Sequence, residues 1–145
     1  MEINFYQVDD ILYKSIAPLL LKILEENKKA LIFCQDEVQV TEIDTGLWSF
    51  SKTKFLPHGT KAEKINPLEQ PIFITNENSN FNQSQYLLIF DDAEESFLKQ
   101  FEKIFYFFSS SNVNQARALW KKYKPKSSSL NFYKKEDSGW VKKEL

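Results

Sequence analysis

Apolar residues recur along this chain in two rhythms. Short runs at Asn4-Phe-Tyr-Gln-Val8, Ala30-Leu-Ile-Phe-Cys34, Pro71-Ile-Phe-Ile-Thr75, Tyr86-Leu-Leu-Ile-Phe90 and Ile104-Phe-Tyr-Phe-Phe108 have the length and the aromatic and β-branched content of strands. Between them the spacing changes to that of helices. Ile16, Leu19, Leu20, Ile23 and Leu24 fall at i, i+3, i+4, i+7 and i+8, the stripe of an amphipathic helix that Ser15 would cap, with Pro18 in its first turn. Val40, Ile43 and Leu47 repeat the pattern over about three turns behind Asp36, a second candidate cap. Phe97, Leu98 and Phe101 predict a short helix. Residues 113–124, introduced by Ser109 to Ser111 and stopped by Pro125, predict a longer one. A last strand is predicted at 129–133, and polar loops at 60–68 and 76–85.

Strands apolar on both faces, alternating with helices, are the mark of a covered parallel sheet. The expected fold is therefore single-domain α/β over residues 1–145: a mostly parallel central sheet with helices on both faces, Rossmann-like in architecture. The charged segment 134–145 is expected to be a loosely ordered tail, part of which docks through Gly139-Trp140-Val141.

Composition narrows the chemistry. Three glycines, Gly46, Gly59 and Gly139, allow neither a phosphate-binding loop nor a dinucleotide fingerprint. Asp91-Asp92 closes a strand, but without that loop it reads as solvation or capping of the next helix. One cysteine and one histidine cannot build a zinc site. Cys34 stands at the carboxyl end of its strand with no histidine or arginine nearby in sequence, and it reads as a small buried residue. No catalytic residue, metal or cofactor is expected, and an enzyme centred on Cys34 and His58 is the weakest of the competing readings. The N-terminus combines no basic region with an apolar run, and the apolar stretch 18–24 is broken by Lys22, far short of a bilayer's width. A cytoplasmic protein without a membrane span is expected.

The formal net charge of −1 conceals a division. Residues 1–112 carry 10 basic and 17 acidic side chains, whereas 113–145 carry 9 and 3. The C-terminal third therefore suits an acidic partner, unless its lysines only solvate the last helix. On that helix Arg117, Lys121 and Lys124 share a stripe beside an apolar face of Val113, Ala116, Trp120 and Tyr123, with Val113 and Trp120 at the border. Arg117 is the single arginine among 18 lysines, and its planar fork suits bidentate carboxylate binding. A fixed cationic stripe at a greasy edge fits a peptide with carboxylates and an apolar end group. The competing reading is a direct single-stranded nucleic-acid-binding module. Elsewhere Trp48, Phe50, Phe55 and Leu56 follow the second helix in a lysine-bearing stretch, either facing a partner or covering the sheet.

Several of these segments together resemble a known family: Phe5-Tyr6, Ala30-Leu-Ile-Phe-Cys-Gln-Asp-Glu37, Leu47-Trp48, Phe55-Leu-Pro-His58 and Arg117-Ala-Leu-Trp-Lys-Lys-Tyr123. In this order they resemble the chi subunit of bacterial DNA polymerase III holoenzyme. The match is collinear over nearly the whole chain and weak across residues 60–85. The resemblance implies a non-catalytic clamp-loader accessory in DNA replication. Such a subunit grips the acidic, phenylalanine-ended C-terminal tail of single-stranded DNA-binding protein, and so meets DNA indirectly. It places the tail on Arg117, Trp120 and Lys121, where the family more often has tyrosine than Trp120. Val113 and Lys124 join these by helix geometry. It also implies a second surface at Trp48 and Phe55, joined by Leu56, for the psi subunit or a helicase-like repair protein.

Overall fold

The computed structural model describes residues 1–9, 12–50, 56–137 and 139–144. Its strands are β1 (Glu2–Gln7), β2 (Ala30–Phe33), β3 (Gly59–Thr60), β4 (Ile72–Thr75), β5 (Tyr86–Ile89), β6 (Lys103–Phe108), β7 (Ser129–Glu136) and β8 (Gly139–Lys143). They form one sheet in the order β3-β4-β2-β5-β6-β1-β7-β8. Every pairing is parallel except β7 with β8. The helices are α1 (Leu12–Glu25), α2 (Glu37–Phe50), α3 (Glu95–Leu98) and α4 (Val113–Tyr123). This is the expected mostly parallel α/β architecture.

The two-residue pleat of each strand divides the core. Ala30, Ile32, Ile72, Ile74, Leu88, Phe105 and Phe107 point to one face, where Ile16, Ala17, Leu20 and Ile23 of α1 and Val40, Ile43 and Leu47 of α2 cover them. Ile3, Phe5, Leu31, Phe73, Leu87, Ile104, Tyr106 and Phe132 point to the other, under α3 and under Ala116, Leu119 and Tyr123 of α4. Nearly continuous apolar strands follow from this, because a strand covered on both sides has no polar face.

Local chemistry sets the helix ends. Asp36 Oδ1 accepts the Gln39 amide at 2.8 Å, so it caps α2 as its sequence position predicts. After α1, Asn27 takes φ 57° and the Lys28 amide returns to the Ile23 carbonyl at 3.1 Å, a left-handed stop immediately before β2.

Several local expectations are corrected. Pro18 lies inside α1 rather than in its first turn, and Ser15 is also a helical residue rather than a cap. Trp48 and Phe50 belong to the last turn of α2 rather than following it. In the described part of 134–145, β7 continues to Glu136 and β8 spans Gly139–Lys143, so strand structure extends beyond the last strand expected at 129–133. Loop 76–85 is not wholly at the surface. Asn82 is fully buried, donates to the carbonyls of Ala30 and Gln70 at 3.2 and 2.9 Å and accepts from Ser84 Oγ at 2.6 Å, tying together the starts of β2 and β4.

Helices α1 and α2 approach closely at Gly46, where an added Cβ would lie 2.4 Å from the Tyr13 ring. Gly46→Ala is therefore expected to cost about 1–3 kcal/mol through overpacking. Denaturant unfolding measures it, and an unchanged midpoint would contradict the close approach.

Candidate functional site

Helix α4 presents three sectors. Ala116, Leu119 and Tyr123 are buried against the sheet. Arg117, Lys121 and Lys124 are exposed on the opposite side. Trp120 and Val113 are half-buried between the two, and the Trp120 ring meets Phe5 of β1 edge-on at 5.3 Å. Of the five positions predicted from sequence, four thus lie on α4 and Lys124 is its C-cap, with the apolar pair fixed by the core and the cations facing water.

The flank of α4 away from Trp120 is tethered by Asp91 and Asp92, which follow β5. Asp92 accepts Lys122 Nζ at 2.6 Å, and it also accepts the Tyr123 hydroxyl and the Ala93 amide. Asp91 accepts the side-chain amides of Gln35 and Gln115. Neither aspartate caps α3 through its side chain, whose N-cap is Glu94. Burial raises the Asp92 carboxyl, but the hydrogen bonds from Lys122, Tyr123 and Ala93 more than offset this and leave it below the usual carboxylate range. Burial raises the Tyr123 hydroxyl, and Asp92 adds to the effect.

These tethers sort the cations. Lys122 is held by Asp92 and Lys126 by Glu95, whereas Arg117, Lys121 and Lys124 have no acidic partner among the described residues. The positive charge left for a ligand is therefore the stripe beside Trp120.

A cavity of about 290 Å³ opens at the carboxyl ends of β2, β5 and β6, lined by Gln35, Phe90, Phe107, Ser111 and Gln115. Open α/β sheets often bind ligands in such a crevice. Here both glutamines are turned onto Asp91, so the chain's own side chains use its hydrogen-bonding capacity.

Cys34 is buried and its thiol is pushed up to about 12, by burial first and then by Asp36 and Glu37. His58 does not serve it. Its Nδ1 donates to the Leu56 carbonyl at 2.6 Å, and Nε2 lies 3.2 Å from both the carbonyl and Oδ1 of Asp44. Among the described residues no cluster of three or more histidine, cysteine, aspartate or glutamate side chains could hold a metal, and no helix is long and apolar enough to cross a membrane.

The model of the family described as DNA polymerase III chi subunit, HolC, matches residues 1–131. This chain belongs to that family. The chi family is one of polymerase accessory subunits rather than catalysts. A curated relative, "Probable DNA polymerase III subunit chi" of Rickettsia prowazekii (strain Madrid E), is 32% identical over 104 residues, 70% of this chain. The chain spans 62% of that chi relative's length.

The second surface expected of a chi-like chain lies across the sheet from α4. Trp48 is 51% exposed at the end of α2, and its ring lies 4.4 Å from the buried His58 ring. Burial pushes the Asp44 carboxyl up, while His58 and a hydrogen bond from Trp48 pull it down. Leu56 is only 3% exposed and belongs to the core beneath α2, so it supports the surface from below instead of facing a partner. Phe55 lies outside the described residues. The Asp91-Asp92 tether is not legible in the sequence because its partners on α4 are 24 to 31 residues away.

Asp92→Asn is expected to lower stability by about 1 kcal/mol near neutral pH, the worth of a partly exposed charge-assisted contact. Because the folded-state pKa is lowered, this contribution exists above the unfolded pKa and is lost as pH falls through the folded one. Unfolding curves of the two proteins should therefore converge in acid, and a gap that persists there would contradict the tether.

Proposed function

We propose that this protein is a non-catalytic accessory subunit of DNA polymerase III that acts in replication, with α4 binding the acidic C-terminal tail of single-stranded DNA-binding protein. The observation that carries this reading is the sorting of charge on α4. Arg117, Lys121 and Lys124 are exposed without acidic partners among the described residues, while Lys122 and Lys126 are neutralised within the chain. Arg117 would take a tail carboxylate in its fork, with Lys121 and Lys124 supporting the charge. Trp120 and Val113, held at the edge of the core, would wall a pocket for the terminal phenylalanine. Trp48 and its surroundings would take a psi-type partner and so link the tail to the clamp loader, with Phe55 part of that surface.

Calorimetric titration with an acidic peptide ending in phenylalanine tests the tail site. Binding should weaken with salt and require the terminal ring. Arg117→Ala should lose about 1.5–3 kcal/mol, the worth of hydrogen bonds to a charged group. Unchanged affinity in that variant would refute the assignment. Because α2 and α4 cover opposite faces of the sheet, Trp48→Ala should leave peptide affinity within about twofold while weakening assembly with a co-expressed psi-type subunit. Loss of both together would mean the surfaces are not independent.

A further inference from the structure

The α1 face of the sheet is covered by helices over β2, β4 and β5 but opens towards β7 and β8, and aromatic rings lie along the opening. Tyr6 of β1 stacks on Tyr133 of β7 at 5.1 Å and 20°, and on Phe107 of β6 at 5.2 Å and 19°. Trp140 of β8 meets Tyr6 edge-on at 5.0 Å and stays 43% exposed. Leu19 and Lys22 of α1, with Glu26 just beyond its end, form one wall of a groove whose floor includes Tyr6, Phe105 and Tyr133.

Strand register fixes which charges share this face. Tyr6 pairs with Tyr133, Tyr133 with Lys142, and Lys135 with Trp140. Side chains alternate along a strand, so on this face β7 and β8 present Tyr133, Lys135, Trp140 and Lys142, and the charged residues these two strands place there are lysines, with Asp9 lining a pocket beside Lys135. Lys135 and Lys142 are exposed and have no acidic partner among the described residues. The acid of β7 is on the opposite face, where Glu136 pairs with Lys143. Glu2 and Glu26 close the groove near the start of β1, with Glu2 offset by Lys103 at 3.9 Å. A polyanion would therefore follow the Lys135–Lys142 side.

We propose that this aromatic shelf binds single-stranded DNA, with unpaired bases stacking on Tyr133 and Trp140 and phosphates lying along Lys135 and Lys142. Contiguous rings beside unpaired cations suit a ligand that offers π-faces and phosphates together. A duplex hides its base faces, and an acidic peptide has no succession of rings. DNA is the appropriate strand for a member of a DNA polymerase subunit family. The shelf is independent of α4, which lies on the other side of the sheet.

Adjacent lysines supply the test, because Lys134 and Lys135 carry the same charge on opposite faces of β7. Fluorescence anisotropy with labelled oligothymidylate of about 15 nucleotides should show binding at low salt that weakens as salt rises. Lys135→Glu, Lys142→Glu and Trp140→Ala should each weaken it several-fold, whereas Lys134→Glu should not. Lys135→Glu and Lys142→Glu should also each reduce the slope of log affinity against log salt by about 0.7, and Lys134→Glu should leave it unchanged. All four positions are exposed or on the outer strand pair, and a thermal melt of each variant confirms that it is folded. The proposal is overturned if oligothymidylate fails to bind, if Lys134→Glu costs as much as Lys135→Glu, if duplex or oligouridylate binds more tightly, or if an acidic peptide displaces the strand from a protein carrying Arg117→Ala.

Discussion

A parallel sheet must be covered on both faces, and this constraint organises the molecule. Strands β2, β4, β5 and β6 each send alternate residues into two cores, so each core needs its own helices: α1 and α2 on one side, α3 and α4 on the other. A helix that spends one sector on a core leaves the remainder to water. In α4 that remainder includes Arg117 and Lys121, with Lys124 at the C-cap, and in α2 it includes Trp48. The surfaces available to partners are thus what the covering helices leave exposed, and their positions are set by which face each helix covers.

Polar contacts then fix how the cover sits. Apolar burial alone would let α4 slide or roll over Phe5, Tyr106 and Phe132, because hydrophobic attraction has no direction. Asp91 and Asp92 give it one by holding Gln115, Lys122 and Tyr123 along a single flank. The same contacts remove Lys122 from the set of cations open to a ligand. Asn82 plays a comparable part at the other end of the sheet, where its buried amide joins loop 76–85 to the starts of β2 and β4. In both places short polar side chains, two aspartates at α4 and one asparagine at loop 76–85, define register for a large apolar contact.

What could be read from sequence follows from the range of the physics. The runs at 30–34, 86–90 and 104–108 and the helical stripes at 16–24 and 40–47 are local patterns, and they reappear as β2, β5, β6, α1 and α2. Pro18 was misplaced because it sits well inside a helix whose apolar face is buried on α2 and the sheet, and that packing outweighs one lost backbone bond. Leu56 and Trp48 looked alike in sequence, yet one is buried and the other half exposed. Their difference is decided by tertiary packing: Leu56 joins the core cluster of α1 and α2, and Trp48 lies on the outer side of the last turn of α2. The composition of Asn76 to Gln85 indicates a loop but not the buried role of Asn82, whose acceptors on Ala30 and Gln70 lie 52 and 12 residues away. The α4 residues were legible because helix geometry groups them. Which lysines are spent internally was not, since Asp92 and Glu95 are distant in sequence.

The charge asymmetry of the chain gains its meaning from that pairing. A surplus of lysine in residues 113–145 would be consistent with mere solvation if the cations were scattered and neutralised. Lys122, Lys126 and Lys143 do have acidic partners, whereas Arg117, Lys121 and Lys124 on one face and Lys135 and Lys142 on the other have none among the described residues. Exposed pairs contribute little to stability, so the pairing matters here for selection: it leaves two separate cationic tracks, each beside a tryptophan. Strand β1 runs between them. Phe5 supports Trp120 on one side, and Tyr6, the next residue, stacks in the aromatic shelf on the other. The two proposed ligands, an acidic tail on α4 and a DNA strand on the shelf, would occupy opposite faces of a single sheet, without either crossing the other's path.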